Sequence, residues 1–154
     1  MLYLDTSAII KRYLREPGTD ALNKRFQRGD RLFTSPLTYA EVLSVLGRKR
    51  QQGGIDEASY RRSCERFVSD WRFALNVLEL NTKTMADLPG LTRRFRLRGA
   101  DAVHLSSACW LRDMCLVSPE FAQGEPQVEF AVSDIRLARI ASSCDLAVFD
   151  PEAV

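Results

Sequence analysis

Four acidic residues, Asp5, Glu41, Asp101 and Asp134, stand where a folded chain could gather their carboxylates into a reactive site. Asp5 closes the apolar run MLYL and Asp134 closes VEFAVS, and a helical pattern follows each. Asp101 sits in the first turn of the helical stretch GADAVHLSSACWL, on the side of Leu105, Ala108 and Cys109, which should face inward. Ser106 and Ser107 are expected to point elsewhere. Glu41 lies about a turn into the helix after RLFTS. An ionised carboxylate on an inward face costs several kcal/mol unless a cation, a donor or a helix end compensates. Carboxylates brought close also repel and raise each other's pKa values. Mg²⁺ or Mn²⁺, which take oxygen ligands and bind between carboxylates and a phosphate, would relieve both penalties.

Taken singly, each acid has a structural explanation. Asp5 before TSAII, Asp134 before IRLARIA and Asp101 after Gly99-Ala100 can cap helices, because their oxygens accept from orphan backbone N–H groups. Glu41 shares a polar stripe with Ser44 and Arg48 and alone reads as a solvated acid. The set carries the argument: three acids at strand-to-helix or helix-start junctions, with a fourth near a helix start.

The elements that must position them alternate. MLYL reads as a strand, followed by a helix closed by Pro17-Gly18, then the helical TDALNKRFQRG and the strand RLFTS. Pro36 opens a longer helix that Gly53-Gly54 stops, residues 56–74 repeat the amphipathic period, and NVLEL reads as a strand. TKTMADL, broken by Pro89-Gly90, precedes the basic LTRRFRLR and the Asp101 helix. SPEFAQGEPQ reads as a loop, VEFAVSD as a strand, IRLARIASSC as a helix and LAVF as a last strand. This alternation predicts one α/β domain over residues 1–154, with a central, mostly parallel sheet flanked by helices on both faces. In such sheets ligands bind at the carboxyl edge, where Asp5 and Asp134 would lie.

Composition narrows the class. With 154 residues, 45% of them hydrophobic and 27% charged, the chain can build a core without disulfides or structural metal. No apolar run is long enough to span a membrane, and MLYLDTSAII has neither a basic leader region nor a cleavage site, so a cytoplasmic location is expected. Cys64, Cys109, Cys115 and Cys144 form no C-x-x-C pair and read as reduced thiols. A net charge of +2 says little about polyanions alone, but Arg93, Arg94, Arg96 and Arg98 cluster just before the Asp101 helix, and Arg48, Lys49 and Arg50 after Glu41. Such clusters can hold phosphates or can simply be solvated. His104, the only histidine, reads as a packing residue rather than a ligand. A single histidine also argues against a metal-free ribonuclease that uses two imidazoles.

Four segments in this order, MLYLDTSAIIKRY, YAEVLSVL, RGADAVHLSSA and VSDIRLARIA, resemble the acidic motifs of the PIN-domain ribonucleases, in particular the VapC-type toxins of prokaryotic toxin–antitoxin pairs. The resemblance runs over essentially the whole chain. It implies a PIN-like fold and a site made of Asp5, Glu41, Asp101 and Asp134, holding Mg²⁺ or Mn²⁺, with Thr6 and Ser133 as polar neighbours. It implies metal-dependent hydrolysis of RNA, an antitoxin partner lying across the acidic groove and a homodimer formed through the early helices. Residues 115–128 are longer than the connection usual in the family, which makes Glu120, Glu125 and Glu129 competitors for the place of Asp134. Asp134 is preferred because it alone follows the alternating strand and opens a helix. Two rival readings remain: a non-catalytic PIN-like module that binds RNA or protein, and an aspartyl-phosphate phosphatase using Asp5, which commonly wants a second Asp where Ser7 stands.

Overall fold

A computed structural model describes residues 1–117 and 128–153. Its centre is a five-stranded sheet, β1 (Leu2–Leu4), β2 (Leu32–Thr34), β3 (Leu75–Val77), β4 (Glu129–Ala131) and β5 (Ala147–Phe149), in the order β3-β2-β1-β4-β5. Every pairing is parallel, with Tyr3 opposite Phe33 on one side and Phe130 on the other. Each strand has only three residues, and the middle one, β1, is apolar and buried throughout, as expected when helices cover both sides of a parallel sheet.

Among the described residues seven α-helices supply that cover: α1 (Thr6–Ile9, continued as a 3-10 turn over Ile10–Arg12), α2 (Thr19–Gln27), α3 (Leu37–Gln51), α4 (Glu57–Phe73), α5 (Leu88–Arg94), α6 (Gly99–Val117) and α7 (Ile135–Ser142). Strand alternation divides the core in two. Leu2 and Leu4 pack with Ile9, Leu22, Val42, Leu46 and Phe67 from α1 to α4, whereas Tyr3 and Phe130 pack with Leu91, Leu105, Ala108, Cys109 and Leu137 from α5 to α7. The chain from β1 leads to β2 on one side, and β4 inserts on the other. The carboxyl ends of β1 and β4 therefore flank the point where the strand order reverses, which is where an open parallel sheet leaves a crevice.

Three sequence expectations need correction. Pro89 and Gly90 do not break a helix; they lie in the first turn of α5, where proline's missing N–H has no intrahelical partner to lose. Ser106 and Ser107 do not point away from the core, because α6 is buried almost all round, and Ser106 donates to the Thr84 carbonyl at 3.0 Å. NVLEL (76–80) yields a shorter strand that starts one residue earlier and ends three residues earlier than its apolar pattern suggested. Most of the long connection expected over 115–128, including Glu120 and Glu125, lies outside the described residues, and α6 takes up its start through Val117. All four cysteines are free, and Cys109 and Cys115 are buried. Among the described residues no helix is long and apolar enough to cross a membrane.

Candidate active site

Asp5 follows β1 directly and is 5% exposed, and its backbone N–H donates to the Ala131 carbonyl of β4 at 3.0 Å. Its Oδ2 accepts from the Ser7 backbone N–H at 2.9 Å and from the Ser7 hydroxyl at 2.5 Å, so it caps α1. The same Ser7 hydroxyl accepts from the Ser133 N–H at 3.0 Å. Ser7 thereby joins the loops that leave the two central strands. Sequence reasoning weighed Ser7 only as a residue that is not aspartate.

Asp134 caps α7: its Oδ1 accepts from the Leu137 N–H at 2.8 Å. Asp101 is half-buried in the first turn of α6, where the nearby Arg98 backbone N–H favours its charged form against burial. The capping explanation thus holds at Asp5 and Asp134, yet each commits only one oxygen to it. The Asp101 carboxyl is pushed up from its ordinary value, first by burial and then by the charges of Asp5 and Asp134. Acids from three separate elements therefore lie within one another's field. The competing Glu129 sits on β4, at the strand end opposite Asp134, and pairs with Arg25.

Glu41 approaches from α3. Its Oε2 accepts from the Thr6 hydroxyl at 2.6 Å and faces His104 Nε2 at 3.1 Å. These contacts, the imidazole foremost, hold its carboxyl below the usual range despite partial burial. His104 Nε2 also lies 3.9 Å from Asp5 Oδ1 and 3.5 Å from the Thr6 hydroxyl, while Nδ1 lies 3.2 Å from the Tyr3 hydroxyl. The sequence reading of His104 as a satisfied packing residue missed this polar role. The available signal was its place one turn after Asp101 on the same helix.

The arginines predicted to hold substrate do converge. Arg93, Arg94, Arg96 and Arg98 line a cleft of about 570 Å³ together with Thr92, Phe95, Leu97 and Arg136. Arg136, from the first turn of α7, was not singled out from the sequence. Five guanidinium groups share this cleft, and none makes an ion pair with a carboxylate among the described residues. Arg98 and Arg136 place it beside the acids, three residues before Asp101 and two after Asp134.

The model of the PIN domain family matches residues 2–113, which include Asp5, Glu41 and Asp101. The chain belongs to the PIN-domain family. Relatives of this PIN domain include Ribonuclease VapC45 and Ribonuclease VapC49 of Mycobacterium tuberculosis, each 31% identical over 137 residues that span 89% of this chain and 86% of theirs. Ribonuclease VapC46 of the same species is 35% identical over 107 residues, 70% of this chain and 73% of its own. The fold is similar to that in VapBC-1 from nontypeable Haemophilus influenzae, with a TM-score of 0.60, 19% identity and 98% of both chains covered. It is also similar to FitAcB from Neisseria gonorrhoeae, with a TM-score of 0.59, 13% identity and both chains covered in full. The PIN-like α/β architecture expected from the sequence is the one observed.

The donor set of this PIN domain fits a hard divalent cation. Its oxygens are carboxylate oxygens, and no lysine or arginine forms an ion pair with Asp5, Glu41, Asp101 or Asp134 among the described residues. The Ser133 hydroxyl is buried without a hydrogen-bond partner, an arrangement that calls for a further donor or acceptor from outside the chain. Among the described residues no three Asp, Glu, His or Cys side chains already close around a point. The arrangement is an open one, suited to an ion that keeps several waters and takes one or two carboxylates directly.

Proposed function

We propose that this PIN domain is a divalent-metal-dependent endoribonuclease and the toxin of a toxin–antitoxin pair. The observation that carries the reading is placement: Asp5 and Asp134 leave the neighbouring strands β1 and β4 at the reversal in strand order, Asp101 opens α6 within their field, and among the described residues no lysine or arginine pairs with them. Asp5 and Asp101 would hold Mg²⁺ or Mn²⁺, with Glu41 and Asp134 as the further acids of the site. When bound, the ion supplies a more acidic water and stabilises charge on the leaving oxygen.

The chain's own residues do the rest. Thr6 and His104 keep Glu41 ionised, so its carboxylate can accept a proton or a water hydrogen bond. Ser7 ties the Asp5 loop to Ser133, which fixes the spacing of the two strand ends. The Arg93, Arg94, Arg96, Arg98 and Arg136 cleft binds the RNA backbone, and Ser133 is a further polar contact for substrate. Partner assignments follow from kinship with ribonucleases of the VapC type: an antitoxin covers the acidic crevice, and two copies of the chain pair through the early helices.

The test is RNA cleavage by purified protein with and without Mg²⁺ or Mn²⁺, beside Asp5→Asn and Asp101→Asn. Cleavage should require the ion and fall by roughly 100-fold or more in each variant, the scale expected when a metal-holding carboxylate is lost. Variants that cut as well as the parent would overturn the site. Binding of RNA without cleavage under any condition would favour the non-catalytic module.

A further inference from the structure

His104 is 1% exposed, and its two ring nitrogens have different duties. Nε2 faces the Oε2 of Glu41, an ionised carboxylate that can only accept, so the proton must sit on Nε2. Nδ1 lies 3.2 Å from the Tyr3 hydroxyl, which can meet it as donor or as acceptor. Tyr3 can do so because burial keeps its phenol protonated far above neutral pH. The Tyr3 ring is held in turn, stacked on Phe130 at 5.7 Å and edge-on to His104 at 6.0 Å. The result is a continuous hydrogen-bonded chain, Tyr3 to His104 to Glu41, running from β1 through α6 to α3. Thr6 adds a second donor to the same Oε2. Both donors fall on one oxygen, which leaves Oε1 without a partner among the described residues.

We propose that His104 is a positioning residue: its imidazole, held in place by Tyr3, pins Glu41 by one oxygen and so leaves the other for the cation or its water. This rests on the metal-site reading above. Imidazole, hydroxyl and carboxylate partners of this kind typically change metal affinity 10- to 100-fold when removed from around a metal site.

Two measurements test it on the full chain. The first is ¹⁵N NMR of the His104 ring without metal, which should show a proton on Nε2; an unprotonated Nε2 overturns the proposal. The second is Mn²⁺ binding followed by electron paramagnetic resonance. His104→Gln, whose amide N–H can reach Glu41, should stay within about threefold of the parent, while His104→Leu should bind roughly 10- to 100-fold more weakly. Tyr3→Phe, which removes the hydroxyl contact to Nδ1 but keeps the ring packing, should fall between them and covers the case in which His104→Leu fails to fold. If Asp101→Asn loses Mn²⁺ while His104→Leu and Tyr3→Phe keep parental affinity, the positioning role is overturned and the metal site stands. If Asp101→Asn binds as tightly as the parent, the metal site is misassigned and the proposal falls with it.

Discussion

At the level of single residues, Asp101 and Glu41 are acids with opposite thermodynamic signs. Asp101 has a raised folded-state pKa, so its favourable contribution is complete below its ordinary value of 3.8 and is lost as pH rises through the folded value. At neutral pH its charge opposes folding, and Asp101→Asn should melt higher than the parent in metal-free buffer, the difference shrinking as pH approaches 3.8. Adding Mn²⁺ should raise the melting temperature of the parent and leave that of Asp101→Asn unchanged, because only a site that binds in the folded state stabilises by mass action. Thermal melts across pH, with and without the ion, check both statements. Glu41 is the reverse case: its folded-state pKa is lowered, so its contribution is present above 4.5 and disappears as pH falls through the folded value. Glu41→Gln should therefore flatten the acid limb of the stability curve. The acid positions were legible because junctions between strands and helices are written in local pattern. The His104 partnership was not, since Tyr3 and Glu41 stand 101 and 63 residues away and only folding brings them to the ring.

Among the elements, α1 and α4 are held together by one compact polar contact. Arg12 at the end of the α1 turn meets Asp70 of α4 through Nε at 2.6 Å and a second nitrogen at 3.1 Å, and the Tyr13 hydroxyl donates to the same carboxylate. The guanidinium also lies 3.8 Å over the Phe26 ring of α2. Asp70→Ala would strand a largely buried cation, and chemical denaturation should register a loss of about 3 kcal/mol. Gly18 begins α2 with φ of +87°, and a Cβ there would lie 2.8 Å from Pro151. Gly18→Ala should cost about 1–3 kcal/mol by the same measurement, from the left-handed backbone and the clash together. The sequence marked Pro17-Gly18 as a helix end, but the approach of Pro151 depends on a chain segment more than 130 residues later. Pro89 teaches the converse: a residue that punctuates one element can open the next.

Across the whole molecule, charge is segregated although the total is only +2. Acids meet at the carboxyl edge of β1 and β4, and the Arg93-to-Arg98 run joins Arg136 in one adjacent cleft. Binding of RNA should weaken steeply with salt, and Arg136→Ala should reduce the slope of log affinity against log salt by about 1 without changing cleavage preference, as for a contact to phosphate alone. Fluorescence anisotropy over a salt series measures it. A linear charge count hid this because α5 and α7 are 40 residues apart until both pack on the same face of the sheet. The strand order carries one more consequence. Asp5 leaves a central strand whose neighbour, β4, is translated after β2 and β3, and Ser7 has no Ser133 to hold until that segment arrives. A nascent polypeptide that has not yet extruded β4 therefore lacks Asp134 and carries only part of its acidic crevice.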